Sequence, residues 1–204
     1  MRRTAFVALV LAAMSASSFA AEPYAFDPSH TRIAYSIDHM GLSEMHGAFS
    51  KFEGELQLDV TDLAKSSVSV SIDVASIDTG VVKLDEHLRT PDFFDVAKYP
   101  TITFKSTKVE SAGGNAFKVI GDLTLHGVTK SVTLNTTMRS VPSHPFLKVP
   151  AAGFLATTEI KRADFGITTY PGALGDVVKI RIDTEAAQNL PKPTQAAAKT
   201  EEKK

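Results

Sequence analysis

Cysteine is absent from the 204-residue chain. That excludes disulfides, thiol catalysis, cysteine-ligated zinc or iron–sulfur centres, and a lipidated N-terminal cysteine after export. Surplus positive charge is absent too, with 22 Lys and Arg against 23 Asp and Glu. Such a balance offers no electrostatic footprint for nucleic acid and no polybasic patch for anionic lipid, so neither is an expected partner. The apolar run Ala5 to Met14 is too short to cross a bilayer, and stable membrane insertion is not expected. There is no phosphate-cradling glycine loop and no nucleophile elbow, and the Ser, His and Asp residues are too scattered for spacing to define a triad. No catalytic residue, metal or cofactor is assigned.

What is present begins with an address. Met1-Arg2-Arg3, the apolar stretch that follows, and Ser18-Phe19-Ala20 predict a secretory signal peptide over 1–20, cut before Ala21. Arg2 and Arg3 also raise twin-arginine export, but almost nothing precedes them, and the general secretion route fits better. Loss of the leader removes two arginines and no acids, which leaves a net charge of −3. At the other end, Gln188-Asn189-Leu190-Pro191-Lys192-Pro193 gives way to an Ala- and Lys-rich stretch. Residues 187–204 read as a disordered tail, since they have no apolar face whose burial offsets the cost of ordering. The folded unit is then 22–186, and with 43% apolar residues overall it can bury a sizeable core.

Within that unit the dominant period is two, the spacing that puts alternate side chains on one face of a strand. Ile33, Tyr35 and Ile37 alternate with polar or small neighbours, as do Gly54, Leu56, Leu58 and Val60; Val68, Val70, Ile72 and Val74 follow. Ile102 with Phe104, then Phe117, Val119, Gly121, Leu123 and Leu125, continue the pattern. Val132, Leu134 and Met138, then Phe154, Ala156 and Ile160, and finally Val178, Ile180 and Ile182, complete about eight runs. Gly113-Gly114-Asn115 and His126-Gly127-Val128 are hairpin and turn signals between such runs. Only Val81 to Arg89 has helical spacing, with Asp78 or Thr79 placed to cap it. Eight meandering strands with one oily face make a sandwich or an up-and-down barrel, and barrel closure leaves no unpaired edge. The interior of such a barrel is filled by its own side chains or holds one small ligand. Periodicity leaves both open.

A family resemblance becomes visible in the order of short motifs. They are Asp27-Pro28-Ser29-His30, His39-Met40-Gly41, Gly47-Ala48-Phe49, Phe52-Glu53-Gly54, Ile77-Asp78-Thr79, Asp85-Glu86-His87-Leu88 and Asp92-Phe93-Phe94-Asp95. Tyr99-Pro100, Phe104-Lys105-Ser106, the run from Gly121 to Lys130, and Arg162-Ala163-Asp164-Phe165-Gly166 continue the series. Over Asp27 to Glu185 the chain resembles the YceI-like family. The resemblance implies an all-β, eight-stranded, antiparallel, lipocalin-like barrel with one short helix, exported to the periplasm. It also implies a carrier for polyisoprenoid lipid, isoprenoid-quinone-type molecules included, or another long-chain amphiphile, without catalysis. Ile33, Tyr35, Ile37, Leu56, Val70, Ile72, Phe104, Phe117, Val119, Leu134, Phe154 and Ile180 are then candidate ligand-binding residues. A homodimer is entertained as a further association.

The polar candidates sit at one end. His39 continues the inward parity of Ile37, and the resemblance groups it with the 78-to-88 segment; His39, Asp85 and His87 are candidates to meet a ligand head group at the mouth. A satisfied hydrogen-bond cluster is the competing reading. Six histidines raise zinc, but Asp85 and His87 are two apart, on different faces of a helix, and the pattern does not make a ligand set. Arg162 to Gly166 reads as a folded corner, with Phe165 plugging a barrel end. The loop from Val141 to Pro150, with His144 and its prolines, reads as an ordinary long connection or as a lid. The alternative function is a lipid-modifying enzyme with His39, Asp85 and His87 as acid–base groups.

Overall fold

A computed structural model describes residues 21–190 of the chain. The signal peptide read over 1–20 and the tail beyond Leu190 lie outside the described residues. The strands are β1 (Glu22–His39), β2 (Ser43–Phe49), β3 (Phe52–Leu58), β4 (Ser67–Asp73), β5 (Ile77–Asp78), β6 (Thr101–Gly113), β7 (Ala116–Leu125), β8 (Val128–Val141), β9 (Ala151–Lys161) and β10 (Leu174–Ala187). One helix, α1 (Val82–Leu88), and three short 3₁₀ turns complete the described chain.

Antiparallel pairing runs around the wall through β1, β3, β4, β6, β7, β8, β9 and β10, and β10 returns to β1. The molecule is a closed eight-stranded antiparallel barrel with one short helix, and its wall strands are the eight alternating runs of the sequence. Closure satisfies the backbone groups that an open sheet would leave unpaired. The register along β1 and β10 sets Ile33, Tyr35 and Ile37 beside Ile182, Ile180 and Val178, so both strands send their apolar set inward together. His126 and Gly127 both take positive φ, 51° and 75°, the geometry that turns one twisted strand tightly into the next.

β2 and β5 are additions that alternation does not reveal. The 18-residue β1 serves two neighbours in succession, pairing with β3 through Glu22–Tyr24 and with β2 through Ile33–His39. β2 and β3 therefore share one wall position, broken at Ser50-Lys51, where the hydroxyl of Ser76 accepts the Lys51 N–H at 3.1 Å. Among the described residues, the outer edge of β2 pairs only with the two residues of β5.

Three boundaries differ from the sequence reading. Val60 is 48% exposed, because β3 ends at Leu58 and Asp59 accepts the N–H groups of Thr61 and Asp62, turning the chain. α1 begins after Val81, and neither Asp78 nor Thr79 caps it as expected. Asp78 instead accepts the Gly80 N–H. Ala187, placed in the tail by composition, closes β10 against Ala25 and Ala151 and is buried.

Three apolar clusters finish the barrel, one of them Val109, Phe117 and Val119 on the β6–β7 wall with Phe104, Leu134 and Phe154 against it. Tyr24, Leu56, Leu58, Ala152 and Ala186, with Leu63 packed against them, fill the end away from α1. Val74, Phe93, Ile102, Leu125, Phe165 and Ile167 fill one side of the α1 end. Val74, Ile77 and Phe165 are the most completely enclosed large side chains, each contributing about 1.5–3 kcal/mol by leaving water.

Candidate functional site: an apolar cavity with a polar mouth

Inside these packed walls the inward side chains leave a cavity of about 700 Å³, and many cluster residues border it. Its size falls within the range of small-molecule sites. Ile33, Tyr35, Ile37, Leu56, Val70, Ile72, Phe104, Phe117, Val119, Leu134, Phe154 and Ile180 all line it, as do His39 and His87. Period two brings the apolar candidates together because each strand turns one face inward and closure points those faces at a common axis. Small Ala156 and Thr158 on β9 leave room where bulkier residues would fill the barrel.

Asp85 is the candidate that the structure places elsewhere. It is buried outside the cavity lining, and its carboxylate accepts the Thr79 N–H at 2.8 Å and the Thr79 hydroxyl at 2.7 Å. It ties the start of α1 to the preceding loop, a structural task that leaves one oxygen engaged twice. His87 turns to the other face, with Nε2 3.3 Å from Asp92 Oδ2 and its ring against Phe93 and Tyr170 at 5.1 and 6.2 Å. No hydrogen bond links His39, Asp85 and His87 among the described residues.

The large lining side chains most open to solvent gather at the α1 end and mark the opening there; His46 on β2 and Ser67 at the far end are exposed lining residues as well. Met40 is 52% and Tyr170 50% exposed, and both belong to the lining with Leu84 and His87. The Met40 N–H donates to Ala173 O at 2.8 Å, which joins the β1–β2 turn to the loop before β10. Met40, Leu84 and Tyr170 were not among the candidates read from the sequence, because they lie outside the alternating runs. Met45 and Phe49 were missed as well, since β2 was; between them Gly47 lies under the Tyr35 ring, where an added Cβ would collide with the phenol. Burial, and then the nearby Asp85 charge, push the Tyr35 hydroxyl well above its usual pKa. It is a neutral hydrogen-bonding group facing an oily space.

Among the described residues, the lining holds Arg162 and no Lys, Asp or Glu. Arg162–Phe165 forms a 3₁₀ turn that ends at Gly166, whose φ of 80° suits glycine. The turn buries Phe165 at 2% exposure, the plug expected at a barrel end, and also buries the Arg162 side chain. Its guanidinium donates to the carbonyl oxygens of Gly175 (2.9 Å), Ile167 (3.1 Å), Thr169 (2.7 Å) and Leu174 (3.2 Å). These bonds hold the loop that carries Tyr170 at the opening.

Other histidines have local tasks. His126 Nδ1 lies 3.2 Å from Phe165 O with its ring against Tyr99, and His144 Nδ1 accepts the Phe146 and Leu147 N–H groups. No set of three His, Asp or Glu side chains converges as metal ligands among the described residues. No described helix is long and apolar enough to cross a membrane.

A closed barrel around an apolar cavity, opening beside a short helix, defines a class of proteins built to enclose a guest. The chain belongs to the YceI-like family, whose domain matches residues 24–186. It is 40% identical over 171 residues to a UPF0312 protein of Vibrio cholerae, a match covering 82% of this chain and 89% of the relative. Among solved structures, BcnA of Burkholderia cenocepacia is similar at a TM-score of 0.72 and 27% identity, over 78% of this chain and 98% of that one. A polyisoprenoid-binding domain from Saccharophagus degradans shares the fold at a TM-score of 0.62 and 16% identity, over 80% and 97% of the respective chains.

Proposed function

We propose that this chain is a periplasmic carrier that encloses a polyisoprenoid, an isoprenoid-quinone-type molecule or another long-chain amphiphile inside the barrel. The observation that supports it is the continuous apolar lining, which runs from Leu58 and Leu63 to Met40 and Tyr170. Each buried methylene of a guest contributes about 0.8 kcal/mol before the cost of ordering the chain. The Saccharophagus domain, named for binding polyisoprenoid, makes the same guest class a reasonable one here. The leader read over 1–20 supports export, and a carrier in an aqueous compartment needs such a shield. The enzyme reading has less support, because Asp85 is committed to Thr79 and no hydrogen bond joins His39, Asp85 and His87 among the described residues.

Native mass spectrometry on chain purified from the periplasm without detergent, followed by organic extraction, tests the proposal. A stoichiometric long-chain lipid of unchanged structure is the expected result, and the same spectrum reads whether a homodimer forms. Ala156→Phe, which narrows the cavity, should lower the bound fraction while the barrel persists by circular dichroism. An empty protein that stays empty after incubation with polyprenyl lipids would overturn the carrier reading, and a chemically altered lipid would restore the enzyme.

A further inference from the structure

We infer that Arg162 seats an oxyanion at the polar end of the guest, so that the preferred guest is a long chain ending in a carboxylate or a phosphate. The inference rests on the carrier reading and narrows it. Apolar walls accept any long chain and do not discriminate its head, whereas a buried charge does.

Arg162 is 7% exposed, lines the cavity and forms no ion pair among the described residues. A buried charge is ordinarily paired. The carbonyl oxygens of Ile167, Thr169, Leu174 and Gly175 satisfy four N–H groups, but carbonyls are neutral dipoles and leave the positive charge unbalanced. A guanidinium has five N–H donors, and the second hydrogen on Nη2 has no acceptor among the described residues.

The acids near this end are engaged elsewhere. Asp38, packed against Gly175, accepts the Gly41 N–H at 2.9 Å, Asp85 takes the Thr79 donors, Asp92 faces His87, Asp176 accepts the Ala163 N–H, and Asp164 lies 3.6 Å from Lys130. His39 is the register partner of Leu174, whose carbonyl holds Nη2, and its ring makes no hydrogen bond with described residues. A carboxylate or phosphate here would neutralise Arg162 and take the spare N–H, with His39 at the same level of the wall. Its chain would extend along Ile37, Ile160 and Ile180. An alcohol or quinone head would leave the charge unbalanced.

The test compares matched pairs on the full mature chain: oleate against oleyl alcohol, and farnesyl phosphate against farnesol, each displacing a fluorescent long-chain probe. In at least one pair the anion should bind about tenfold or more tighter than its alcohol, the scale of a hydrogen bond to a charged partner. Preference confined to the carboxylate pair or to the phosphate pair identifies the source of the oxyanion. Arg162→Gln should bring the anion-to-alcohol affinity ratio to about one, whatever loosening of the Tyr170 loop does to all four affinities, and Arg162→Lys should restore part of the ratio. If Arg162→Gln does not fold, the wild-type pairs still decide. Alcohols that bind as tightly as their anions would overturn the oxyanion seat and leave the carrier reading standing, with Arg162 as a loop tie alone. Failure of all four to bind would overturn both.

Discussion

At the end away from α1, Tyr24, Leu56, Leu58, Ala152 and Ala186 meet around Leu63, and strands supply nearly all of the closure. The α1 end combines a packed side, where Val74 and Phe165 are among the most enclosed side chains, with a side held by loops. There Arg162 gathers four loop carbonyls, Asp85 holds Thr79, and Arg89 donates to Ala75 O and Ile77 O at 3.0 and 2.8 Å. The reason lies in the sheet: β2 has only the two residues of β5 on its outer edge, so loops must cover what strands do not. Loops carry backbone groups that need partners, and long polar side chains supply them. An end closed by side-chain packing is fixed once folded, whereas one closed by loops and hydrogen bonds can open locally at lower cost. For a barrel that loads a guest, the opening belongs at the second kind of end.

Core truncations should have the largest effect and test whether both ends share one cooperative unit. Phe165→Ala should cost about 3–5 kcal/mol and Leu58→Ala about 2–5 kcal/mol in denaturant unfolding. A single transition for each variant would unite the ends; a separate early transition in Phe165→Ala alone would show the α1 end unfolding by itself. Asp85→Ala should have a smaller effect, about 1–3 kcal/mol, because it strands the Thr79 donors. Amide exchange should quicken over residues 79–88 and stay unchanged around Leu63. Equal quickening at both ends would break the contrast.

The smallest effect is expected from Asp27 and His30, in the β1 irregularity between the two ends. The hydrogen bond that His30 donates to Asp27, then the Asp27 charge, raises His30 above 6.5. Burial pushes the Asp27 carboxyl up, but hydrogen bonds from Ser29 and His30 outweigh it and leave it below 3.8. The raised histidine contributes stability fully below pH 6.5 and loses it as pH rises through the folded value. The lowered aspartate contributes above pH 3.8 and loses it as pH falls through its own folded value. Their contribution should therefore be greatest between those limits. Melting temperatures of wild type and His30→Gln should differ there and converge on both sides; a difference independent of pH would remove the ionic account.

The strands of the wall were legible because each carries its own alternation, and the His126-Gly127 turn announced itself by composition. β2 was not legible, since of its inward set Ser43, Met45, Gly47 and Phe49 only Met45 and Phe49 carry apolar side chains. Gly47 makes sense only under the Tyr35 ring, a partner twelve positions earlier in the chain. The helix was placed within a residue at each end, but its anchor was read in reverse, with the loop capping the helix where Asp85 instead holds the loop. Arg162 was legible only as part of a corner, because burial, neighbours and the cavity beside it come from distant strands.

The sequence by itself determined that the domain is all-β, which face of each wall strand is apolar, and where the hairpins turn. These follow from periods and residue types that act over a few positions. Only the tertiary structure decided that the inner faces stop short of meeting, that Asp85 turns away from the space while Arg162 borders it, and which end opens. Those outcomes depend on register, on closure of β10 against β1, and on the fit of side chains brought together from across the chain. Local pattern carries no measure of that distance.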